Sequence, residues 1–189
     1  GSHSVLAGNR GVENSEQPEA ELWFGDFPNG TFPVLAKILA VAQTLSLQVH
    51  PNKSQVAASP ELFSDSNHKP EMLVALSKFY ALVGIASEGA IIDAVDSMST
   101  PSISNFLISK IKNGNSISDI LSILLGVPDE LNLIPELISN LQKVVNPTDR
   151  QSWTLEVANT YPDRLDVLVT LLCNFVKLTP GQAIYLPPR

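Results

Sequence analysis

The first part of the chain shows the alternation of apolar and polar residues that is typical of β-strands. Between positions 45 and 50 every second side chain is apolar, and the two interleaved sets are Leu45, Leu47, Val49 and Ser46, Gln48, His50. This period of two predicts a strand with one apolar and one polar face. The stretch Val34–Val41 is nearly all apolar and is interrupted by Lys37, which predicts a buried strand. A buried strand lysine is costly unless it is paired or lies at a ligand site, so Lys37 is a candidate functional residue.

Four more strands are predicted, two on each side of a long intervening segment. Glu71–Leu76 and Phe79–Ile85 are separated by two polar residues, which favours a hairpin. Phe175–Leu178 and Ala183–Leu186 flank the tetrapeptide Thr179-Pro180-Gly181-Gln182. Proline at the second position and glycine at the third position of this tetrapeptide predict a type II turn, and therefore a second hairpin.

The segment between these strands follows a helical pattern. Apolar residues recur every three or four positions in stretches that are separated by Pro, Gly or Asn-Pro, and these stretches cover residues 90–98, 103–111, 120–125 and 133–145. A final helix is predicted from Pro162 or Asp163 to about Asn174. The segment contains no histidine and no ligand spacing typical of a metal site. We therefore interpret residues 88–174 as a helical insertion whose apolar stripes pack together and against a β-sheet.

Composition and charge narrow the class of protein. The chain has 189 residues, 44% of them hydrophobic, and a formal net charge of -7, so it is long enough for a proper core and unsuited to nucleic acid. Its single cysteine, Cys173, excludes a disulfide within the chain. No apolar run approaches the roughly 18 residues of a membrane helix, and no secretory signal is evident. These features predict a soluble, cytoplasmic protein that binds neither nucleic acid nor membrane.

Two short stretches carry the candidate chemistry. Residues two apart on a strand point to the same side, so Gln48 and His50 would stand roughly 6–7 Å apart at Cα, where an amide oxygen and an imidazole nitrogen can share one ion. Lys69 and Glu71 have the same spacing about twenty residues later. A carboxylate and a cation facing one cavity would suit a metal beside an anionic ligand. Zinc needs three or four such donors, and a lone Gln-x-His is more often ordinary strand polarity.

At these residues the chain resembles a known family. Four segments are similar, in order, to the signature segments of type I mannose-6-phosphate isomerase (phosphomannose isomerase), and they are Ala20–Gly25, Ser46–Lys53, Asn67–Met72 and Leu178–Leu186. The resemblance implies an α+β protein with a cupin-like antiparallel β jelly-roll core and a helical insertion domain. On this basis residues 1–87 are the N-terminal part of the metal-binding β domain, residues 88–174 the insertion, and residues 175–189 the return hairpin to the β domain.

The resemblance also implies an activity and its residues. Enzymes of this family interconvert mannose 6-phosphate and fructose 6-phosphate with one zinc ion, and so supply mannose for GDP-mannose and glycosylation. Position by position, the resemblance makes Gln48, His50 and Glu71 zinc ligands. It places Lys37, Ser46 and Lys69 at the sugar phosphate. The group that transfers the proton is not settled by the sequence, and Lys69 is our candidate for it. We expect a monomer whose partner is a small sugar phosphate.

The end of the sequence departs from the family pattern. Leu186 is followed by Pro187-Pro188-Arg189, whereas similar enzymes continue into segments that supply a fourth zinc ligand and a catalytic arginine. We therefore expect a chain that lacks the C-terminal part, and two alternatives to an active isomerase stay open. One is a catalytically impaired, cupin-like sugar-phosphate-binding protein. The other is an interaction module built on the helices of residues 88–174.

Overall fold

The structure is a computed structural model that describes residues 1–25, 34–63 and 65–188. The chain forms two compact units, Gly1–Val49 and His50–Arg189, and each is described by itself. Both antiparallel strand pairs and helices are present, which confirms the predicted α+β class. None of the described helices combines the length and the hydrophobicity that crossing a bilayer requires.

The first unit contains a short antiparallel strand pair. Strand β1 (Glu21–Phe24) pairs with strand β2 (Ala36–Leu39), and Trp23 lies opposite Lys37. The unit also has a 3-10 helix at Ala7–Arg10. The predicted strand over positions 34–41 exists, but it is shorter than expected and is not buried, because its first two residues are exposed and its last two only half-buried.

The prediction of a strand over residues 45–50 is wrong. The structure assigns no strand to this segment, and Leu47 and Val49, which were expected on a covered apolar face, are 57% and 73% exposed. Alternation predicts which residues would share a face, but a strand also requires a hydrogen-bonded neighbour. Within the described residues no strand pairs with this segment.

The second unit opens with helix α1 (Lys53–Ala58), which is followed by a 3-10 turn at Pro60–Leu62. Four strands come next: β3 (Glu71–Val74), β4 (Phe79–Ile85), β5 (Cys173–Leu178) and β6 (Ala183–Leu186). Their positions agree with the sequence, but the pairing does not. Strand β3 pairs with β6, and β4 pairs with β5, both antiparallel.

The predictions of a β3–β4 hairpin and a β5–β6 hairpin are therefore wrong. The reason lies in the segments that connect β3 to β4 and β5 to β6. Glu71 pairs with Leu186 and Phe79 with Leu178, so the two ladders keep a common register. Between them the Gly181 amide donates to the Ala75 carbonyl at 2.8 Å. The predicted turn at residues 179–182 does form, with Gly181 at φ +87°. The turn lies within a long antiparallel ribbon, in which β3 and β4 pair with β6 and β5, and it does not form a hairpin between β5 and β6. A bend and a hairpin have similar local sequences, so only the pairing of distant strands shows which of the two forms.

The helices lie between β4 and β5 in the sequence. Six helices occupy this segment: α2 (Glu88–Ser97), α3 (Pro101–Lys112), α4 (Ile117–Leu124), α5 (Leu133–Leu141), α6 (Asp149–Thr160) and α7 (Val169–Leu172), with a 3-10 turn at Leu165–Leu168 before α7. Their apolar stripes form one core, and its fully buried side chains include Ile91, Leu107, Ile134, Leu137 and Leu171. This packing agrees with the prediction that the apolar stripes of these helices pack together.

Helices α6 and α7 differ most from the sequence prediction. The helix expected to reach Asn174 stops at Leu172, and Cys173 already begins strand β5. Nearly every residue from Leu165 to Cys173 is buried, so periodicity cannot separate helix from strand there. Helix α6 was not predicted, because its apolar residues do not form a clean stripe. Its capping box of Thr148 and Gln151 was the available signal.

Helix α6 is attached to the ribbon by a polar cluster beside an aromatic one. The Tyr80 hydroxyl and the Lys177 ammonium both donate to the Asp149 carboxylate, at 2.7 and 2.6 Å. Phe175 stacks on Tyr80 and contacts Trp153 of α6, with ring centroids 5.3 and 5.6 Å apart. The hydrogen bond from Lys177, followed by that from Tyr80, lowers the pKa of Asp149 below its ordinary value.

This pKa shift gives a prediction about stability and pH. A carboxylate whose pKa is depressed on folding stabilises the fold above its unfolded pKa of about 3.9, and that contribution is lost as the pH falls through the lower folded value. We expect Asp149→Asn to lower the melting temperature at pH 7 and to flatten its decline between about pH 5 and pH 3. The measurement is thermal unfolding by circular dichroism across this range.

The matched control is Asp93→Asn, which removes an exposed carboxylate from helix α2. This variant should retain the wild-type decline. Identical pH curves for the two variants would show that the Tyr80–Asp149–Lys177 cluster does not contribute to attaching α6.

Candidate active site

The best-defined part of the candidate site is the contact between His50 and the segment that leads into β3. His50 Nδ1 donates a hydrogen bond to the Lys69 carbonyl at 3.1 Å. The Lys69 amide in turn donates to the Pro51 carbonyl at 3.0 Å. Glu71 Oε2 lies 3.7 Å from the same imidazole nitrogen. The structure therefore brings His50 and Glu71 close together.

Local sequence explains why these residues are held in place. Asn52, two positions after His50, begins helix α1 with a capping box in which its side chain and that of Gln55 satisfy each other's backbone amides. On the other side, Glu71 is the first residue of β3 and is fixed by pairing with Leu186. The His50 side chain is 17% exposed and that of Glu71 is 35% exposed. Both groups are thus partly accessible on anchored backbone.

Lys37 has a different environment from the one predicted. Its ammonium donates to Glu21 Oε1 at 2.9 Å, and the Trp23 indole donates to Glu21 Oε2 at 2.6 Å. The hydrogen bond from Lys37, followed by that from Trp23, lowers the pKa of the Glu21 carboxyl. The prediction that Lys37 is buried is wrong, since the side chains of Lys37 and Glu21 are each 32% exposed. The burial cost that made Lys37 a functional candidate is absent, and Glu21 supplies its counter-charge.

Ser46 and Gln48 lie in the first unit. Ser46 lines a cleft of about 260 Å³ whose wall also includes Glu21, Leu39 and Thr44. That volume is below the roughly 300 to 1,000 Å³ of ordinary small-molecule sites, so this cleft alone does not enclose a sugar phosphate. Gln48 is exposed on the segment that forms no strand, and the strand geometry that would have set it beside His50 does not apply.

The donor set can be tested for its fit to zinc. No group of three or more His, Cys, Asp or Glu side chains suited to a metal occurs in the described parts of the chain. His50 and Glu71 nevertheless supply one nitrogen and one oxygen donor of the kinds that zinc prefers. Because a carbonyl accepts the hydrogen bond from Nδ1, a neutral imidazole keeps its lone pair on Nε2. The two side chains therefore supply two donors of the types found in zinc sites, and a zinc site requires at least one further donor.

Two contributors to this geometry, the Lys69 backbone and Glu21, were not predicted from the sequence. The prediction included only the side chain of Lys69, whereas the Lys69 backbone amide and carbonyl join the two stretches. It also overlooked Glu21 as the partner of Lys37. A signal for Glu21 was present, because Glu21 and Trp23 are two residues apart on a strand and therefore share a face.

Comparison with known proteins bears on the same residues. Residues 24–87 match the family model of the phosphomannose isomerase type I catalytic domain, and this stretch includes His50, Lys69 and Glu71. The resemblance to type I phosphomannose isomerases is confirmed. Mannose-6-phosphate isomerase from Salmonella typhimurium is 28% identical over 240 residues, covering 98% of this chain and 60% of that protein. Mannose-6-phosphate isomerase 1 from Arabidopsis thaliana is 30% identical over 178 residues, covering 82% of this chain and 40% of that protein.

Solved phosphomannose isomerase structures share the fold. The apo form from Salmonella typhimurium superimposes on the whole chain with a TM-score of 0.76 at 26% identity. The structure of that enzyme bound to its substrate and a zinc atom gives a TM-score of 0.74 at 27% identity. These matches confirm the predicted cupin-type α+β fold. In both cases the chain covers 60% of the matched structure, so it spans about three fifths of the length of these phosphomannose isomerases.

Proposed function

We propose that this chain carries the zinc-binding part of an aldose-ketose isomerase that interconverts mannose 6-phosphate and fructose 6-phosphate. The observation that supports this proposal most is the contact of His50 Nδ1 with Glu71 Oε2 at 3.7 Å. Both residues lie inside the stretch that matches the phosphomannose isomerase catalytic model. An imidazole and a carboxylate held together on two anchored segments are the beginning of a zinc site.

The proposed ligands are His50 through Nε2, the carboxylate of Glu71 and the side-chain oxygen of Gln48. Gln48 enters on the resemblance alone. A bound zinc ion would stabilise the negative charge that develops on the sugar oxygens when a proton moves between C1 and C2. Glu71 would then be unsuited to act as the base, because its carboxylate would be bound to the metal.

The remaining candidates would hold and orient the sugar phosphate. Lys37 and Lys69 provide positive charge in a chain of net charge -7, and a phosphate needs such local cations. Binding the phosphate at a fixed position would place C1 and C2 correctly relative to the metal. Lys37 would have to exchange its Glu21 partner for the phosphate. Ser46 would donate a hydrogen bond to the sugar, and Lys69 remains the proposed proton-transfer group.

A coupled assay tests the function directly. The chain is supplied with mannose 6-phosphate, and fructose 6-phosphate is measured with zinc, with a chelator, and with the chelator followed by excess zinc. The proposal predicts turnover that the chelator abolishes and zinc restores. Turnover that is indifferent to the chelator would contradict the metal mechanism. Saturable binding of mannose 6-phosphate without turnover would instead support the alternative of a sugar-phosphate-binding protein.

The wider setting is proposed from the same resemblance. The chain would act as a monomer in the cytoplasm and supply mannose 6-phosphate for the synthesis of GDP-mannose and for glycosylation. One zinc ion would bind per chain. The division into a β domain of residues 1–87, a helical insertion of residues 88–174 and a returning β segment of residues 175–189 is part of this proposal.

A further inference from the structure

We propose that the main chain of Lys69 is a positioning element for His50 and fixes which imidazole nitrogen is offered to the metal. This inference rests on the proposed zinc site, and it concerns the backbone of Lys69, whereas only the Lys69 side chain has a role in the proposed function. Lys69 would thus have two separable roles. Its side chain would serve the substrate, and its peptide groups would hold the histidine.

The geometry forms a reciprocal tether. Lys69 donates its amide hydrogen to the Pro51 carbonyl at 3.0 Å, and its own carbonyl accepts from His50 Nδ1 at 3.1 Å. His50 and Pro51, which are adjacent in the chain, are therefore both hydrogen-bonded to Lys69. No strand pairing joins the segments that contain these residues in the described part of the chain. The tether takes the place of a ladder in bringing residue 50 close to residue 71.

The chemistry of the carbonyl decides the tautomer. A carbonyl oxygen has no hydrogen to donate, so the hydrogen bond requires the proton on His50 Nδ1. In a neutral imidazole this leaves the lone pair on Nε2, which is the nitrogen then available to a metal. Ligating histidines in metal sites are commonly oriented in this way by a carbonyl or carboxylate.

The first test reads the tautomer without any metal. Long-range nitrogen-proton NMR correlations of the metal-free chain, at a pH where His50 is neutral, should show the proton on Nδ1. Lys69→Ala and Glu71→Gln should leave the proton on Nδ1, because the Lys69 carbonyl is present in both variants. A proton on Nε2 in the unmodified chain would overturn the inference. If Glu71→Gln, but not Lys69→Ala, loses the proton on Nδ1, the Glu71 carboxylate determines the tautomer. This result would also overturn the inference.

The second test separates backbone from side chain by zinc affinity. Lys69→Pro and Lys69→Ala both lack the ammonium, but only the proline variant also lacks the amide that bonds to Pro51. We expect zinc to bind Lys69→Pro about 10- to 100-fold more weakly than Lys69→Ala, the usual effect of losing an orienting partner. Equal affinities in two folded variants would contradict a role for the tether. If the proline variant does not fold, the tautomer measurement decides.

The two proposals fail in different ways. A chain with the proton on Nδ1 that binds no zinc would refute the proposed function and leave the assignment of the Lys69 backbone intact. A zinc-dependent isomerase with the proton on Nε2 would refute the inference alone.

Discussion

His50→Ala is expected to reduce bound zinc from about one per chain to background. The imidazole is one of at most three donors that this chain is proposed to supply, and zinc requires a nearly complete set of protein ligands. Losing an orienting partner alone weakens metal sites about 10- to 100-fold, so losing a ligand should weaken zinc binding by more than about 100-fold. Elemental analysis after dialysis against trace zinc measures the content. Isomerase turnover should disappear with the metal.

The matched control is His68→Ala. His68 lies one residue before Lys69 and is exposed, so this variant removes an imidazole from the same segment without removing a proposed ligand. It should retain wild-type zinc. Equal zinc content in His50→Ala and in the unmodified chain would remove His50 from the site and with it the central assignment.

Leu137→Ala is expected to produce the largest loss of stability among the substitutions considered. Leu137 is fully buried in the helical core on α5. Truncating a fully buried leucine removes its transfer free energy and leaves a cavity, at a cost of about 2 to 5 kcal/mol. Urea unfolding followed by circular dichroism should show a lower midpoint with an unchanged slope.

Val145→Ala is the control for this substitution. Val145 follows α5 in the sequence and is 84% exposed, so its truncation should change the free energy of unfolding by less than about 0.5 kcal/mol. A small effect for Leu137→Ala, comparable to that of Val145→Ala, would mean that the helices do not pack as the structure shows.

The helices show what a local pattern can establish. Helices α2, α3 and α4 were predicted close to their true bounds, since each has a clear apolar stripe and a Ser or Pro near its start. The acidic residues Asp129 and Glu130 predict the start of the next helix. Helix α5 instead begins at Leu133, because Asn132 adopts φ +53° and the Asp129 carboxylate accepts from the Ile134 amide. The residue at which α5 begins depends on the φ angle of Asn132, which the sequence does not specify.

The strands show where local pattern fails. The positions of β3 to β6 follow from apolar content and turn residues, but their partners lie about a hundred positions away in the sequence. Short polar connections favoured hairpins because nothing local reveals a bend between two ladders. The helices α2 to α7 separate β4 from β5 in the sequence, so no short window of residues contains both partners of either of these strand pairs.

The resemblance named candidate site residues, but neither it nor the sequence predicted the geometry between them. The resemblance selected His50 and Glu71, and the structure brings them into contact. The route by which they meet was not predictable, since the strand expected to carry His50 does not form and a backbone tether replaces it. Hydrogen bonds made by peptide groups leave little trace in residue identity, because every non-proline residue can make them.

Anomalous diffraction at the zinc absorption edge, from crystals of this chain grown with zinc, tests the central claim most directly. We expect one strong peak about 2.0 to 2.2 Å from both His50 Nε2 and a Glu71 carboxylate oxygen. A peak bound to other residues, or no peak at these two side chains, would contradict the central claim.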